Sequence, residues 1–382
     1  MTSTTAFGVM KAKQPVEELV VERRPLTDYD VLVKILYCGV CRSDQHHVDN
    51  DWHDVKSWPL IPGHEIIGVV EDIGQKVTLV KIGQHVCVGN MTDSCQACNS
   101  CAEFREQYCE NNGPTWTYNG RERLVNNKRT LKPLGEMTYG GYSGRIVSQE
   151  KFVFILPKGL DLAKSAPLLC AGITMWYPLR EFNMGPGKKV AIAAIGGLGA
   201  LGLKFAKALG CDVYGLTTTP WKLKNKDAKM ILMDDDFKDA ITAKVKYNME
   251  KPLTEREKEL LKHKHLKLLH TFDLMINTIP ISHDPTPYIH LVKPGGGKMH
   301  IVGNMNKFPN LKGMDFVFHG KHITSSNVGG TRDTKEMLKF CAKHNIGSEI
   351  EIIKPDYINT AMQRMVDKDV KYRFVMDLTD IN

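Results

Sequence analysis

The feature that most constrains the fold is a strand, a glycine-rich turn, a helix and a second strand in succession. Residues 189–194 combine β-branched side chains with alanines, as a buried strand does, and residues 196–199 form the turn. The apolar segment 200–209 stops at Gly210, a residue that commonly ends helices, and residues 212–216 form the next apolar run. Strands that alternate with helices in this way predict a doubly wound α/β domain with a parallel sheet.

Two further regions surround this unit. Three later apolar runs are predicted to extend the same sheet: residues 272–278, 298–302 and 322–325. Residues 1 to about 155 differ, because glycine and proline interrupt their apolar runs repeatedly, which predicts a β-rich domain. The strands predicted there are residues 31–37, 66–73, 85–89, 144–147 and 153–156. Near the C-terminus we predict a helix at 334–344 and a strand at 374–378.

A chain of 382 residues is too long for one compact core, so we expect separate domains. We predict a β-rich domain over residues 1–156, an α/β domain over 157–328, and a segment over 329–382 that returns to the first domain. The longest apolar stretch is shorter than the ~20 residues that a transmembrane helix needs, and glycines interrupt it. With no signal-peptide pattern at the N-terminus either, we expect a cytoplasmic protein without membrane contact.

Four of the ten cysteines stand in one short run, at Cys95, Cys98, Cys101 and Cys109. Thiolates at such spacings can converge on one tetrahedral Zn²⁺ within a single loop. All four ligands would come from the protein, which leaves no position for water and makes the predicted site structural. An iron–sulfur cluster also uses four thiolates, and free structural cysteines are the other alternative.

The turn Ala194-Ile-Gly-Gly-Leu-Gly199 is similar to the dinucleotide-binding pattern Gly-x-Gly-x-x-Gly, with alanine in the first position. Glycines there permit a tight turn and let a pyrophosphate approach the N-terminus of the following helix. The predicted cofactor-binding residues of this turn are Gly196, Gly197, Leu198 and Gly199. A purely structural turn is the alternative.

The second strand leads into Leu216-Thr-Thr-Thr-Pro-Trp-Lys222, where NAD-binding domains normally place an acidic residue for the ribose 2′-hydroxyl. This segment has no acid. Its three hydroxyls and one lysine suit a 2′-phosphate instead, because that group needs hydrogen-bond donors and positive charge. The sequence therefore predicts NADP(H), bound by Thr217, Thr218, Thr219 and Lys222, with an ordinary polar loop as the alternative.

Further motifs resemble a known family. Gly63-His-Glu-Ile-Ile-Gly68, followed by Gly74 and Val77, is similar to the signature of zinc-containing alcohol dehydrogenases. Five segments resemble the cinnamyl alcohol dehydrogenase branch of the medium-chain dehydrogenases. They are residues 38–44, the four-cysteine run, 140–143, 166–174 and 371–375. The resemblance covers nearly the whole chain and implies a GroES-like catalytic domain, a Rossmann cofactor domain and a homodimer.

The resemblance also implies roles for individual residues. The matching positions are Cys41, His64, Glu65 and Cys170 for a catalytic zinc, Ser43 and His46 for a proton relay, Arg42 for the pyrophosphate, Thr174 for the nicotinamide region and Trp116 for the substrate pocket. Together with the four-cysteine site, two zinc ions per chain are implied. Glu65 is expected to bind the catalytic zinc in the resting state and to give way to substrate.

An insertion near residues 240–270 departs from the family pattern. It contains Thr254-Glu-Arg-Glu257, a capping-box pattern that begins helices, and then leucines among lysines, at Leu260, Leu261, Leu266, Leu268 and Leu269. This pattern predicts an amphipathic surface helix within an elaborated connection. A partner-binding surface is the alternative.

The implied function is a zinc-dependent oxidoreductase that interconverts primary alcohols and aldehydes, aromatic or aliphatic, and reduces aldehydes with NADP(H). Some members of the family reduce conjugated C=C or C=N bonds instead, often without relay residues, so that reaction is the first alternative. A zinc-ribbon protein that binds nucleic acid would explain the four-cysteine run and the net charge of +8. It would leave Cys41, His64 and Cys170 unexplained, so we expect small-molecule alcohols and aldehydes as partners and no nucleic acid.

Overall fold

The computed structural model describes residues 2–126, 128–303, 311–367, 369 and 373–382. The chain forms two compact units: the first comprises Met1–Ile173 and Val328–Asn382, and the second comprises Thr174–Asn327. Lys371 and Tyr372, which belong to the last family-like segment, lie outside the described residues. None of the helices in the described ranges has both the length and the apolar content that crossing a bilayer requires.

The first unit is built on antiparallel strands. Its strands are β1 (Thr2–Gly8), β2 (Glu17–Arg23), β3 (Asp30–Val40), β4 (Ile66–Ile73), β5 (His85–Val88), β6 (Met91–Asp93), β7 (Thr115–Trp116), β8 (Leu124–Val125), β9 (Lys128–Arg129), β10 (Arg145–Gln149), β11 (Phe154–Ile155), β18 (Ile350–Ile353) and β19 (Arg373–Asp377). Its main sheet has the order β11-β5-β4-β3-β19-β18, with β10 also paired to β3. The C-terminal strand β19 runs antiparallel to β3, so the last residues complete the sheet that β3 and β4 begin.

Five helices belong wholly to the first unit: α1 (Arg42–Asp49), α2 (Asn99–Ala102), α3 (Leu162–Ser165), α10 (Thr331–His344) and α11 (Ile358–Val366). The core beneath them is rich in β-branched residues of the sheet, such as Val31, Val33 and Ile35, which have no exposed surface. Burial of one such side chain contributes about 1.5–3 kcal/mol to folding. Strand β3 is therefore held firmly along its length, and it ends at Val40, beside the first candidate site residue.

The second unit is a parallel α/β sheet, as the sequence predicts. Its strands are β12 (Lys189–Ala193), β13 (Asp212–Thr217), β14 (Lys229–Leu232), β15 (Leu274–Asn277), β16 (Lys298–Ile301) and β17 (His322–Ser325). They lie in the order β14-β13-β12-β15-β16-β17, and all five pairings are parallel. This is the doubly wound order, in which the chain leaves β12 toward one edge and later returns to build the other half.

The remaining helices are α4 (Ala171–Glu181), which spans the junction of the two units, and α5 (Gly197–Ala208), α6 (Asp235–Asn248), α7 (Glu255–Leu260), α8 (Thr286–Leu291) and α9 (Met314–Val317) in the second unit. Helix α5 begins three residues before the predicted start at residue 200. Glycine makes this early start possible, because a Cβ at Gly199 would overlap the carbonyl oxygen of Ala194. The turn and the first helical turn are thus packed closely against the end of β12.

The predicted helix of the insertion includes only the first of the leucines that follow the capping box. Helix α7 does begin at the capping box, where Thr254 Oγ1 accepts from the Glu257 N–H at 3.2 Å and Glu257 Oε2 accepts from the Thr254 N–H at 2.9 Å. It ends at Leu260, and a separate 3₁₀ turn covers Lys264–Leu268. Between the two, the ring of His263 stacks on buried Phe237 of α6, with 5.0 Å between ring centroids. Packing onto α6 therefore overrides the continuous helical pattern.

Ala194 adopts a backbone conformation that favours glycine, with φ of +67°. Its N–H donates to the Leu216 carbonyl at 2.9 Å, and its own carbonyl accepts from Thr278 Oγ1 at 2.8 Å, so neighbouring strands hold it there. Ala194, which departs from the dinucleotide-binding pattern, thus adopts the left-handed backbone conformation despite the steric strain of its Cβ.

We predict that Ala194→Gly stabilises the protein. The left-handed conformation costs an L-residue roughly 1–2 kcal/mol, and glycine forfeits about 0.4–1 kcal/mol through the greater entropy of the unfolded chain. A urea titration should therefore show the free energy of unfolding raised by about 0.5–1 kcal/mol. The control is Ala200→Gly inside α5, which should lower it by about 1 kcal/mol. A loss of stability in Ala194→Gly would contradict the strain assigned to this turn.

Candidate active site

Four side chains from distant parts of the chain meet in the first unit. The ligand atoms of Cys41, His64, Glu65 and Cys170 all lie within 4.8 Å of one another. Cys41 stands between β3 and α1, His64 and Glu65 precede β4, and Cys170 follows the 3₁₀ turn Ala166–Leu169. The fold thus brings together the set that the family resemblance implies for a catalytic zinc.

A glycine allows the loop of His64 to approach the core. Gly63 has φ of +100°, and a Cβ there would lie 2.6 Å from Cδ1 of Tyr142 and 2.9 Å from Sγ of Cys38. Any side chain would push the loop away from Tyr142. His64 is therefore placed by a close backbone contact that only glycine permits.

The carboxylate of Asp44 organises this cluster, a role that the sequence analysis did not assign. Oδ1 accepts from the Gly63 N–H and from Nδ1 of His64, each at 3.1 Å. Oδ2 accepts from the Cys41 N–H at 2.9 Å and from the Tyr142 hydroxyl at 3.0 Å. Because Nδ1 of His64 donates to Asp44, Nε2 is left as the free nitrogen that a metal could bind.

A second unassigned residue, Arg373, lies against Glu65. Its Nη2 donates to Glu65 Oε1 at 2.6 Å, and both side chains are almost completely buried. Glu65 Oε2 has no hydrogen-bond partner in the described structure. One oxygen of Glu65 is thus held by a guanidinium, while the other is buried, unsatisfied and available to a cation.

The electrostatics of the cluster favour a metal ion. Burial raises the pKa of Glu65 to about 7, although Arg373 acts in the opposite direction. The hydrogen bond from Cys170 lowers the pKa of Cys41 well below its ordinary value, and the same contact raises the pKa of Cys170. Their Sγ atoms are 3.9 Å apart, close to the ~3.8 Å expected for two thiolates on one tetrahedral zinc with Zn–S bonds of about 2.3 Å. These donors fit a zinc ion.

The sulfur atoms of the four-cysteine run also lie close together. The ligand atoms of Cys95, Cys98, Cys101 and Cys109 lie within 4.8 Å of one another, and none of the four is in a disulfide. Sγ of Cys95 is 3.8 Å from Sγ of Cys101 and accepts from the backbone N–H groups of Ala97 and Cys98, each at 3.4 Å. Such N–H donors stabilise the thiolate form that metals bind.

The predicted relay residues share helix α1, which Cys41 precedes. His46 Nδ1 lies 2.8 Å from Oδ2 of Asp51, and because a carboxylate only accepts, Nδ1 carries the hydrogen. No hydrogen bond joins Ser43 and His46 directly within the described ranges. Arg42, the first residue of α1, is exposed, and Trp116 is half-buried in β7.

The neighbouring His47 makes contacts that the sequence analysis did not foresee. Its Nδ1 lies 2.9 Å from both the Tyr118 hydroxyl and the Ser43 carbonyl oxygen. The Tyr118 ring in turn lies 5.8 Å, between centroids, from the ring of His64. Tyr118 stands two residues after Trp116 in the same aromatic segment, which was the one sequence signal that could have identified it.

In the second unit, the predicted cofactor residues surround the start of α5. Apart from its neighbours in the chain, no described residue lies within 4 Å of where a Cβ of Gly196 would be, so the space beside this turn is open in the described structure. Helix α5 begins there without a side-chain cap, which leaves its first backbone N–H groups available to a phosphate. The turn residues Gly196, Gly197, Leu198 and Gly199 thus lie at an uncapped helix N-terminus, and their binding of a pyrophosphate stays a prediction.

The threonine–lysine segment follows the end of β13. Thr217 is buried and its Oγ1 accepts from the Thr219 N–H at 3.1 Å, whereas Thr218 is exposed. Lys222 is half-buried, with Nζ 5.3 Å from the centre of the Trp221 ring. Elsewhere in this unit Thr174 is buried, and its hydroxyl donates to the Asn327 carbonyl at 3.1 Å.

Comparison with known families agrees with this arrangement. The sequence profile described as "Alcohol dehydrogenase GroES-like domain" matches residues 27–158, and the one described as "Zinc-binding dehydrogenase" matches residues 197–343. The chain is 38% identical to the NADP-dependent alcohol dehydrogenase C 1 of Mycolicibacterium smegmatis over 100% of this chain and 99% of that protein. It is 39% identical to the probable cinnamyl alcohol dehydrogenase 6 of Arabidopsis thaliana over 99% of this chain and 95% of that protein.

Solved structures give the same picture. A cinnamyl alcohol dehydrogenase from Sorghum bicolor superposes with a TM-score of 0.84 at 32% identity, covering 99% of this chain and 98% of that one. The CAD of Helicobacter pylori complexed with NADP(H) superposes with a TM-score of 0.80 at 31% identity, covering 98% of both chains.

We predict that Asp44→Asn weakens zinc binding at the Cys41 cluster by about 10- to 100-fold, the usual effect of removing a carboxylate that orients a histidine ligand. Competition with a zinc chelator measures the affinity. The matched control is Asp49→Asn on the same helix, whose carboxylate accepts from Gln45 and not from His64, and which should leave the affinity unchanged. Equal affinities in the Asp44 variant and the parent would show that the carboxylate does not support the metal site.

Proposed function

Because this chain belongs to the zinc-dependent medium-chain alcohol dehydrogenases, in the branch of the cinnamyl alcohol dehydrogenases, we propose that it reduces aldehydes to primary alcohols with NADPH. The family membership makes it a zinc alcohol oxidoreductase. The direction, the cofactor and the aldehyde substrate class are our proposal. The observation that carries it is the convergence of Cys41, His64, Glu65 and Cys170 within 4.8 Å.

We propose a different task for each metal cluster. Cys41, His64 and Cys170 would hold the catalytic zinc, and Glu65 would hold it only in the resting state, since Arg373 can retain one carboxylate oxygen when the other is released. The four cysteines from Cys95 to Cys109 would hold a structural zinc, with no position for water. This gives two zinc ions per chain.

In the proposed reaction the bound zinc supplies Lewis acidity at the substrate oxygen, and the nicotinamide supplies the hydride. The protein must then provide and remove a proton. With Nδ1 hydrogen-bonded to Asp51, Nε2 of His46 is the ring nitrogen left to exchange the proton: it would give a proton toward the alcohol during reduction and take one up during oxidation. Ser43, on the same helix and closer to Cys41 in the chain, would pass the proton between the substrate and His46.

The proposed preference for NADPH rests on the end of β13. Residues 216–222 contain no carboxylate to accept from a ribose 2′-hydroxyl or to repel a 2′-phosphate. Relatives support the proposal, since the M. smegmatis protein is named NADP-dependent and the H. pylori structure contains NADP(H). Thr218, Thr219 and Lys222 are the donors that would contact the phosphate.

The direct test of the proposed function is NADPH oxidation with a panel of saturated, aromatic and conjugated aldehydes, followed by product analysis. We expect the corresponding alcohol from each accepted aldehyde. A conjugated aldehyde that returned as the saturated aldehyde would instead indicate reduction of the C=C bond. Absence of NADPH oxidation across the whole panel would contradict the proposal.

The two zinc sites should respond differently to substitution. Metal analysis of the parent should give close to two zinc ions per chain. Cys41→Ser should remove one zinc and lower kcat/KM by about a thousandfold or more, because a Lewis acid contributes several kcal/mol. Cys98→Ser should first lower the melting temperature, since a structural zinc contributes folding free energy. Cys211→Ser, outside both clusters, is the control; full activity in folded, metal-free protein would contradict the mechanism.

The cofactor preference should depend on Lys222. We expect kcat/KM for NADPH to exceed that for NADH by about tenfold or more on one aldehyde, because a charge-assisted hydrogen bond contributes roughly 1.5–3 kcal/mol. Lys222→Ala should reduce this ratio, while Lys224→Ala, an exposed lysine in the same 3₁₀ turn, should not. Equal use of both cofactors by the parent would contradict the proposal. An unchanged ratio in Lys222→Ala would remove only Lys222 from the phosphate site.

A further inference from the structure

The guanidinium of Arg123 has no role in the mechanism above, and it has no exposed surface at all. Arg123 stands immediately before β8, on the hairpin that β8 and β9 form. Its two terminal nitrogens donate to the carbonyl oxygens of Leu131, Asn111 and Gly113. Nη2 also donates to Sγ of Cys109, at 3.7 Å.

These carbonyl groups accept from the two terminal nitrogens of Arg123 but do not balance its charge, and its buried Nε has no hydrogen-bond partner among the described residues. Among the described residues, no carboxylate forms an ion pair or a hydrogen bond with it. The other deeply buried arginine near a metal cluster, Arg373, has Glu65 as its partner. An arginine cannot shed its proton, so a buried one without an opposite charge is strongly unfavourable. Arg123 therefore requires a negative charge nearby.

The four-cysteine site supplies that charge. A divalent zinc ion with four thiolates carries a net charge of −2, and Cys95, Cys101 and Cys109 are buried. We propose that Arg123 is the counter-charge of the structural metal site and that its contact with Cys109 holds this thiolate on the metal. The inference rests on the proposed function in one respect, namely that the four cysteines bind zinc.

The same hairpin holds the other end of the metal-binding loop. Arg129 of β9 donates to both carboxylate oxygens of Asp93, each at 2.6 Å, and to the Ser94 carbonyl at 2.6 Å. The Ser94 hydroxyl oxygen in turn accepts from Sγ of Cys101 at 3.3 Å. Arg123 thus contacts the loop at Cys109 and Arg129 contacts it just before Cys95, so the hairpin is part of the metal site. Of these two arginines, Arg123 is the one with a described contact to a cysteine sulfur, which makes it the positioning residue for charge.

The test is the rate at which the zinc-loaded enzyme releases zinc to an excess of a chromophoric chelator. Arg123→Gln keeps a hydrogen-bond donor and loses the charge, and Arg123→Lys keeps the charge. We expect zinc release from the four-cysteine site to be about 10- to 100-fold faster in Arg123→Gln, and within a few-fold of the parent in Arg123→Lys. Arg121→Gln, an exposed arginine of the same segment, should release zinc as the parent does.

The proposal would be overturned if Arg123→Gln released zinc at the rate of the parent. It would also be overturned if Arg123→Gln and Arg123→Lys released zinc equally fast, because the contact with Cys109 would then act without an effect of charge. If Arg123→Gln does not fold, cobalt-substituted Arg123→Lys gives a second test. Moving the positive charge relative to Cys109 should shift the sulfur-to-cobalt charge-transfer band, and an unshifted band would overturn the proposal. Metal analysis of the parent distinguishes failure of this proposal from failure of the proposed function. A single zinc ion, at the Cys41 cluster, would show that the four cysteines hold no structural metal. Two zinc ions with normal retention in Arg123→Gln would contradict only the role of Arg123.

Discussion

Asp44 has no exposed surface, and its two oxygens accept hydrogen bonds from four groups on three separate segments of the first unit. One carboxylate thus joins the start of α1, the Gly63 loop and Tyr142. A buried carboxylate is stable only when its oxygens are fully hydrogen-bonded, so these donors cannot move independently of one another. The position of His64, its tautomer and the path of the backbone at Cys41 all follow from this single group.

Charge in the first unit is buried in compensated sets. Glu65 lies against Arg373, the Asp44 carboxylate accepts hydrogen bonds from Nδ1 of His64 and three other groups, and Arg123 lies against Sγ of Cys109. Each set includes, or directly adjoins, a residue with a metal-ligand atom. A cation in either cluster would offset thiolate and carboxylate charge there, so we expect folding of this unit and metal binding to be coupled.

Local patterns in the sequence predicted most of the fold. Apolar periodicity located β3, β4 and β12, and the cysteine spacing predicted the four-thiolate cluster, since each signal lies within a few residues. Arg373 could not be found in this way, because its partner Glu65 is 308 positions away and no periodicity links them. Family resemblance joined Cys41, His64 and Cys170, whereas elementary spacing rules could not. The end of α7 could not be located from the sequence, because stacking of His263 on Phe237 is a tertiary contact that the local helical pattern does not contain.

The strand order of the second unit has a consequence for how this chain can change in length. After β14, at one edge of the sheet, the chain must return past β13 and β12 to begin β15. That return is long in any doubly wound sheet, and the entropy of closing a loop rises only with the logarithm of its length. Residues added to an already long crossover therefore cost far less than the same residues in a tight turn such as the one at Ala194. Within that return, the largely exposed residues 249–254 between α6 and α7 are consequently where added sequence would disturb the sheet little, whereas Phe237, Ile241 and Phe272 are buried in the core beside it.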